Sequence, residues 1–247
     1  MNRRQVLGLL AAGTAVGVAG GTAAFTFRWH SEPRRTPFLT AEHLQMLAAS
    51  DIPRPRVLFI GNSMVLRHDV PAKTAQFAAS DGIALGVALA ASDGARLIET
   101  IRIPELQHVL QPDMWDAVIL QDFTKTPLRA PDRWGSVIAM NWIRARVPET
   151  PIILFPPWPA MADNPVYQDP GFLTATPRDP ADYMARTMTF YSDAANKSGF
   201  HLAPVPEAWW TASQSGQDLY HADGHHANER GAELSAQVIW SVVKQVL

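Results

Sequence analysis

The chain has 247 residues, no cysteine and a formal charge of −2. These values exclude disulfides, thiol nucleophiles, thiolate metal sites and lipid attachment through an N-terminal cysteine. They also leave no long-range attraction for nucleic acid, and no basic stripe with interleaved aromatics appears. With 47% hydrophobic and 18% charged residues, a sizeable core is available, and no internal Pro/Gly/Ser-rich linker divides the body. One folded domain is therefore expected.

Residues 1–27 differ in composition from the rest of the chain. Arg3-Arg4 precedes Val6-Leu7-Gly8-Leu9-Leu10 and a mild Ala/Gly/Val stretch to about Phe25, with no acidic residue before Glu32. A positive start, a weakly apolar middle and small residues describe an export signal, and the paired arginines point to the twin-arginine type. The alternative is an N-terminal anchor, which would associate the protein with a membrane. The expected location is periplasmic or extracellular, or membrane-anchored if the segment is retained. Residues 28–55 read as a proline-containing lead-in with one short helix near 41–49.

From residue 56 onward, strand and helix patterns alternate. Val57-Leu58-Phe59-Ile60 is an apolar run of buried-strand type, closed by Gly61, where a sharp turn is expected. A helix is predicted over 72–80 and a second strand over 83–90, ending at Ala91-Ser92-Asp93-Gly94. Residues 97–110 carry helical spacing interrupted by Pro104. The third strand is expected over 115–120, ending in Gln121-Asp122, and a helix comes next over 132–147. A fourth strand is read at 151–155, then a proline-rich loop at 156–180. Loops of this length in compact domains are usually functional or mobile. A helix over 181–197, a short strand over 201–205 and a last helix over 228–246 complete the domain, which spans 56–247.

Such alternation implies an α/β fold with a mostly parallel sheet and helices on both faces. Right-handed crossovers then bring the ends of the first three strands to one rim. Ligands of open α/β sheets bind at that rim, so Ser63, Gly94 and Gln121 are expected to meet there.

A serine hydroxyl is a poor nucleophile without a neighbouring base. The segment Asp223-Gly224-His225-His226, just before the last helix, can supply one. There the Asp223 carboxylate can hold one imidazole nitrogen of His226 while the other faces Ser63, fixing the tautomer and stabilising the imidazolium. Oxyanion donors are available in the backbone N–H groups of Ser63 and Gly94 and the side-chain amide of Gln121. The plainer readings are a turn or cap serine at Ser63, an Asp-Gly turn with solvated histidines, and a Gln121 bonded to loop backbone. His221, His225, His226 and Asp223 also include metal-ligand types, but no His-x-x-x-His pair or regular spacing accompanies them, and no metal is expected. His225 is read as an exposed neighbour at the rim and as the rival base. Trp158, Tyr167 and Phe172 are read either as pocket walls or as local packing, and Trp209 and Trp210 as core or helix-packing residues.

Taken together, Gly61-Asn62-Ser63, the glycine after strand two, the amide after strand three and Asp223-Gly224-x-His226 resemble the SGNH hydrolases, or GDSL esterase/lipase superfamily. The similarity runs over most of 57–234 in four short blocks. It implies a three-layer α/β/α, flavodoxin-like fold with a mostly parallel five-stranded sheet. It further implies Ser63 as nucleophile, His226 as general base, Asp223 as its orienting acid and Gly94 as an oxyanion donor, with no cofactor. The chain departs from the family pattern at Asn62, where many members have aspartate, at Leu120-Gln121-Asp122 in place of Gly-x-Asn-Asp, and at Ala227 in place of proline. The implied function is hydrolysis of a carboxylic ester, such as an O-acetyl ester of a small molecule or carbohydrate, through an acyl-serine. Transfer of the acyl group to a saccharide and a non-catalytic binding role are the two rival readings.

Overall fold

The computed structural model describes residues 54–168 and 176–247. The predicted signal or anchor at 1–27 and nearly all of the lead-in lie outside these residues, as does Phe172. Five parallel strands form one sheet: β1 (Arg56–Gly61), β2 (Gly86–Ala91), β3 (Ala117–Leu120), β4 (Ile152–Leu154) and β5 (His201–Leu202), in the order β2-β1-β3-β4-β5. This is the α/β architecture with a parallel five-stranded sheet that the alternating pattern predicts. The order reverses at β1, so the crevice beside its carboxyl end is the expected ligand position.

β1 explains the layering. All four residues Val57–Ile60 are fully buried, as suits a central strand covered on both faces. Val57 and Phe59 point into one core with α2 (Val70–Ser80), α7 (Val205–Gln214) and α8 (Glu229–Val246). Leu58 and Ile60 point into the other, with α3 (Leu97–Thr100), α4 (Pro104–Val109), α5 (Ala130–Arg144) and α6 (Pro180–Ser198). The two-residue period of the strand thus sorts one apolar run into two cores.

Element boundaries shift for local reasons. The second strand begins at Gly86 instead of residue 83, because Ile83 N–H is still bonded to Ala78 O at the end of α2 and ladder pairing starts with Gly86 N–H to Pro55 O. Pro104 splits the 97–110 stretch into α3 and α4, having no N–H to continue a helix through it. The expected strand over 201–205 pairs only at His201 and Leu202. From Val205 the chain forms α7, a helix that the sequence pattern does not predict. Its start is marked by Pro204 and Pro206, and prolines suit a first helical turn as well as a strand end. Trp209 is buried in the core, as expected, and its ring stacks on Trp158 at 4.0 Å between centroids. A one-turn helix α1 (Ser63–Leu66) comes directly after β1.

Register fixes the rim. Gly61 lies opposite Ala91, and Ile60 lies opposite Leu120. Three strands therefore end level, and residues 62–63, 92–95 and 121–123 emerge side by side. Gly61 serves a different purpose from the sharp turn expected of it. Its φ is not positive, but a Cβ there would come within 2.6 Å of Val65 Cγ2 and 2.9 Å of Gln121 Oε1. The glycine makes room for the residues that hold the turn.

Candidate active site

Ser63 opens α1, and Asn62 caps it: the Asn62 Oδ1 accepts from Met64 N–H at 3.1 Å. Ser63 is nearly buried, at 8% exposed. As the first helical residue its N–H has no acceptor within the helix. The 223–226 loop is closed on itself before α8. His221 N–H donates to His226 O at 2.8 Å, Gly224 N–H donates to His221 O at 2.9 Å, and Asn228 N–H donates to Leu219 O at 2.9 Å. Gly224 occupies the left-handed region at φ 64°, which only glycine enters cheaply.

The two segments meet. His226 Nε2 lies 3.0 Å from Ser63 Oγ, and His226 Nδ1 lies 2.7 Å from Asp223 Oδ2. Asp223 Oδ1 in turn accepts the backbone N–H groups of His225 and His226, both at 2.9 Å. Burial works to raise the Asp223 pKa, but these two N–H bonds and the His226 ring outweigh it and hold the carboxyl well below the usual range. The carboxylate is thus anionic at neutral pH and fixed in orientation. Arg67 approaches Asp223 Oδ2 only at 3.5 Å, with both side chains well exposed, so solvent screens most of that attraction.

A cleft of about 640 Å³ opens against His226 and His225, walled by Phe123, Lys125, Asn164 and Val166. Its mixture of apolar wall and polar rim suits a small organic group. Trp158 does not wall it: the ring is fully buried and its Nε1–H donates to His225 O at 3.0 Å. Tyr167 is likewise spent on local packing, with its hydroxyl donating to Ala160 O at 2.8 Å. Sequence reasoning misses the buttress these contacts belong to. Trp158, Asn164 (Nδ2 to Asp223 O, 2.9 Å) and Met161 (N–H to Gly224 O, 2.8 Å) brace the back of the 223–226 loop. A side chain bonding to distant backbone leaves no periodic trace, so no motif announces it.

Two other expectations change. His225 does line the rim of the cleft, but it is half-buried where an exposed side chain was expected. Burial, reinforced by the neighbouring His226, pushes its imidazole down from 6.5 to about 4. Its Nδ1 is buried and has no hydrogen-bond partner among the described residues. Gln121 is also engaged differently from the oxyanion role expected of it. It is 1% exposed, its Oε1 accepts Asn62 N–H at 3.0 Å, and its Nε2 donates to Asp122 O. The extra methylene carries the amide back over Gly61, beneath the serine turn. Gly94 does sit at the rim, exposed and at φ 66°. Among the described residues no group of three His, Asp or Glu side chains converges to hold a metal ion.

The His225 shift has a measurable consequence. The native state refuses a proton that the unfolded chain accepts between about pH 4 and 6.5, so stability falls as pH drops through that window. The Asp223 contribution persists there, since its folded pKa is depressed, and is lost only at lower pH. Thermal unfolding of the protein and of His225→Gln at pH 7 and 4.5 checks this. The variant is expected to lose less stability on acidification, and equal losses would contradict it.

No protein-family model matches the chain, and no curated protein does. Solved structures do. A protein from Slackia heliotrinireducens assigned as an SGNH hydrolase is 26% identical, with TM-score 0.62, over 75% of this chain and 97% of its own. A lipase/acylhydrolase from Enterococcus faecalis is 14% identical, with TM-score 0.57, over 77% of this chain and 95% of its own. An acetyl xylan esterase is 12% identical, with TM-score 0.58, over 76% of this chain and 98% of its own. At these identities the last two speak for the fold alone. The fold is that of the SGNH hydrolases (GDSL esterase/lipase superfamily), and the serine, histidine and aspartate blocks on its rim resemble that superfamily's in their order.

Proposed function

We propose that this chain is a serine esterase in which Ser63, His226 and Asp223 form the catalytic triad. The observation that carries the reading is the unbroken bonded path Ser63 Oγ, His226 Nε2, His226 Nδ1, Asp223 Oδ2, at 3.0 and 2.7 Å. His226 takes the Ser63 proton as Oγ attacks the ester carbonyl. Negative charge on the tetrahedral oxygen is met by the N–H groups of Ser63 and Gly94, and the imidazolium by the Asp223 carboxylate. As the carbonyl re-forms, the ester C–O bond breaks and His226 gives the proton to the departing alcohol. Water, deprotonated by the same imidazole, then releases the acid from Ser63.

The finer reading is an O-acetyl or other short acyl ester of a small molecule or saccharide, cleaved outside the cytoplasm. Its support is the modest cleft with its polar rim and, for export, the Arg3-Arg4 start followed by an apolar stretch. An anchor retained at 1–27 would hold the protein on a membrane.

The test is a panel of p-nitrophenyl esters of rising acyl length and O-acetylated saccharides, with product analysis in the presence of free saccharide acceptors. Short esters are expected to turn over fastest, with free acid as the product. Acyl-saccharide formation would instead mean a transferase, and no turnover across the panel would favour a binding protein.

A further inference from the structure

The amide of Gly94 can serve an oxyanion only if its loop is held at a fixed distance from Ser63, and the side chains of Asn62, Gln121 and Asp122 tie the serine turn, the end of β3 and that loop together. Asn62 Nδ2 donates to Ala95 O at 3.1 Å, while Asn62 Oδ1 accepts Met64 N–H at 3.1 Å. A carbonyl on one side and an N–H on the other define which way this amide points. Asn62 is 1% exposed, so neither bond is readily replaced by solvent. One residue beyond the strand-end glutamine, Asp122 Oδ1 accepts Leu97 N–H at 2.8 Å and Phe123 N–H at 2.6 Å. Asp122 is 2% exposed and has no contact with the Ser63–His226–Asp223 path among its bonds. Gln121 closes the frame by joining Asn62 N–H to Asp122 O. The loop 92–97 is therefore held at Ala95 by the serine turn and at Leu97 by the end of β3, with Gly94 next to the first of these fixed points.

We propose that Asn62 and Asp122 are positioning residues that keep the Gly94 amide in register with Ser63, so that a side-chain frame assembles an oxyanion pocket made of backbone N–H groups. In this chain Gln121 belongs to the frame and does not donate to the oxyanion. The departure from aspartate at position 62 then has a physical reason. A carboxylate could still accept Met64 N–H, but its second oxygen would face the Ala95 carbonyl at about hydrogen-bond distance in a buried site, where two acceptors repel. The inference rests on the reading of Ser63 as nucleophile.

The test compares kcat and KM on a short p-nitrophenyl ester for Asn62→Ala, Asn62→Asp, Asp122→Ala and Asp122→Asn in the full chain, with thermal unfolding recorded for each. Loss of a transition-state donor costs roughly 10²–10³ in kcat, and misplacing one is expected to cost at least about tenfold. Asn62→Asp should fall below Asn62→Ala, and Asp122→Asn, which keeps an acceptor oxygen, should recover most of what Asp122→Ala loses. KM should stay within about twofold throughout, since a donor used only in the transition state adds little to ground-state binding. Wild-type kcat in Asn62→Asp and Asp122→Ala would overturn the proposal. So would losses that track the unfolding temperature alone, with Asp122→Asn no better than Asp122→Ala. Labelling of the wild type by a fluorophosphonate separates the two levels. Without a Ser63 adduct the esterase reading fails and takes the frame with it, whereas an adduct with unaltered variants sinks the frame alone.

Discussion

Replacing Ser63 with alanine is expected to lower kcat on short esters by at least about 10³-fold, and by up to about 10⁶-fold if the triad acts as a unit. In the proposed mechanism the acyl-enzyme has no other place to form. Asp223 and His226 can activate a water, but such a water is not held by covalent geometry beneath the carbonyl. The fold should persist, because among the described residues the only side-chain bond lost is that from Oγ to His226 Nε2. The turn is held by other groups: Asn62 caps α1 and Gln121 holds Asn62 N–H. Loss of that single bond is worth about 1 kcal/mol. Activity within about tenfold of the wild type, in a variant with unchanged unfolding, would remove Ser63 from the mechanism.

The second large effect separates two adjacent histidines. His226→Ala is expected to be nearly as damaging as loss of the serine, since it removes both the proton acceptor and the partner of the Asp223 carboxylate. His225→Ala should stay within about one order of magnitude of the wild type. What His225 gives Asp223 and Trp158 it gives through its backbone N–H and C=O, and alanine keeps both. Its ring stands 4.9 Å from that of His226, edge to face, and its bonding makes no path to Ser63. Ester turnover of the two variants at pH 7 decides the matter. The reverse ranking would transfer the base role to His225.

Legibility in the sequence depends on which features have a period or a local signature. The four apolar runs at 57–60, 83–90, 115–120 and 151–155 each overlap a strand of the sheet, because a buried parallel strand is apolar along most of its length. Ser63, His226 and Asp223 are legible because each stands in a short block beside a glycine. Topology alone then predicts that the Ser63 and Gly94 loops share a rim. Gln121 is misread for want of a third dimension. Residue type offers an amide at the right strand end, but only the packing over Gly61 shows that it folds back beneath the turn. The Trp158 buttress and the bond from Leu97 N–H to Asp122 are invisible for the same reason, since they join groups far apart in the chain. His225 reads as exposed because a His-His pair in a loop carries no sign of how far either ring is covered. Helix α7 is hidden by two prolines that suit either of two structures.

In the proposed mechanism the Ser63 hydroxyl is made nucleophilic by the imidazole 3.0 Å away. The most direct measurement is mass-spectrometric mapping of the adduct formed with a fluorophosphonate ester, on the wild type and on His226→Ala. A single phosphonylated peptide carrying Ser63 is expected in the wild type, with the rate of modification strongly reduced in His226→Ala. No adduct at Ser63, or equal rates in the two proteins, would mean that His226 does not activate Ser63.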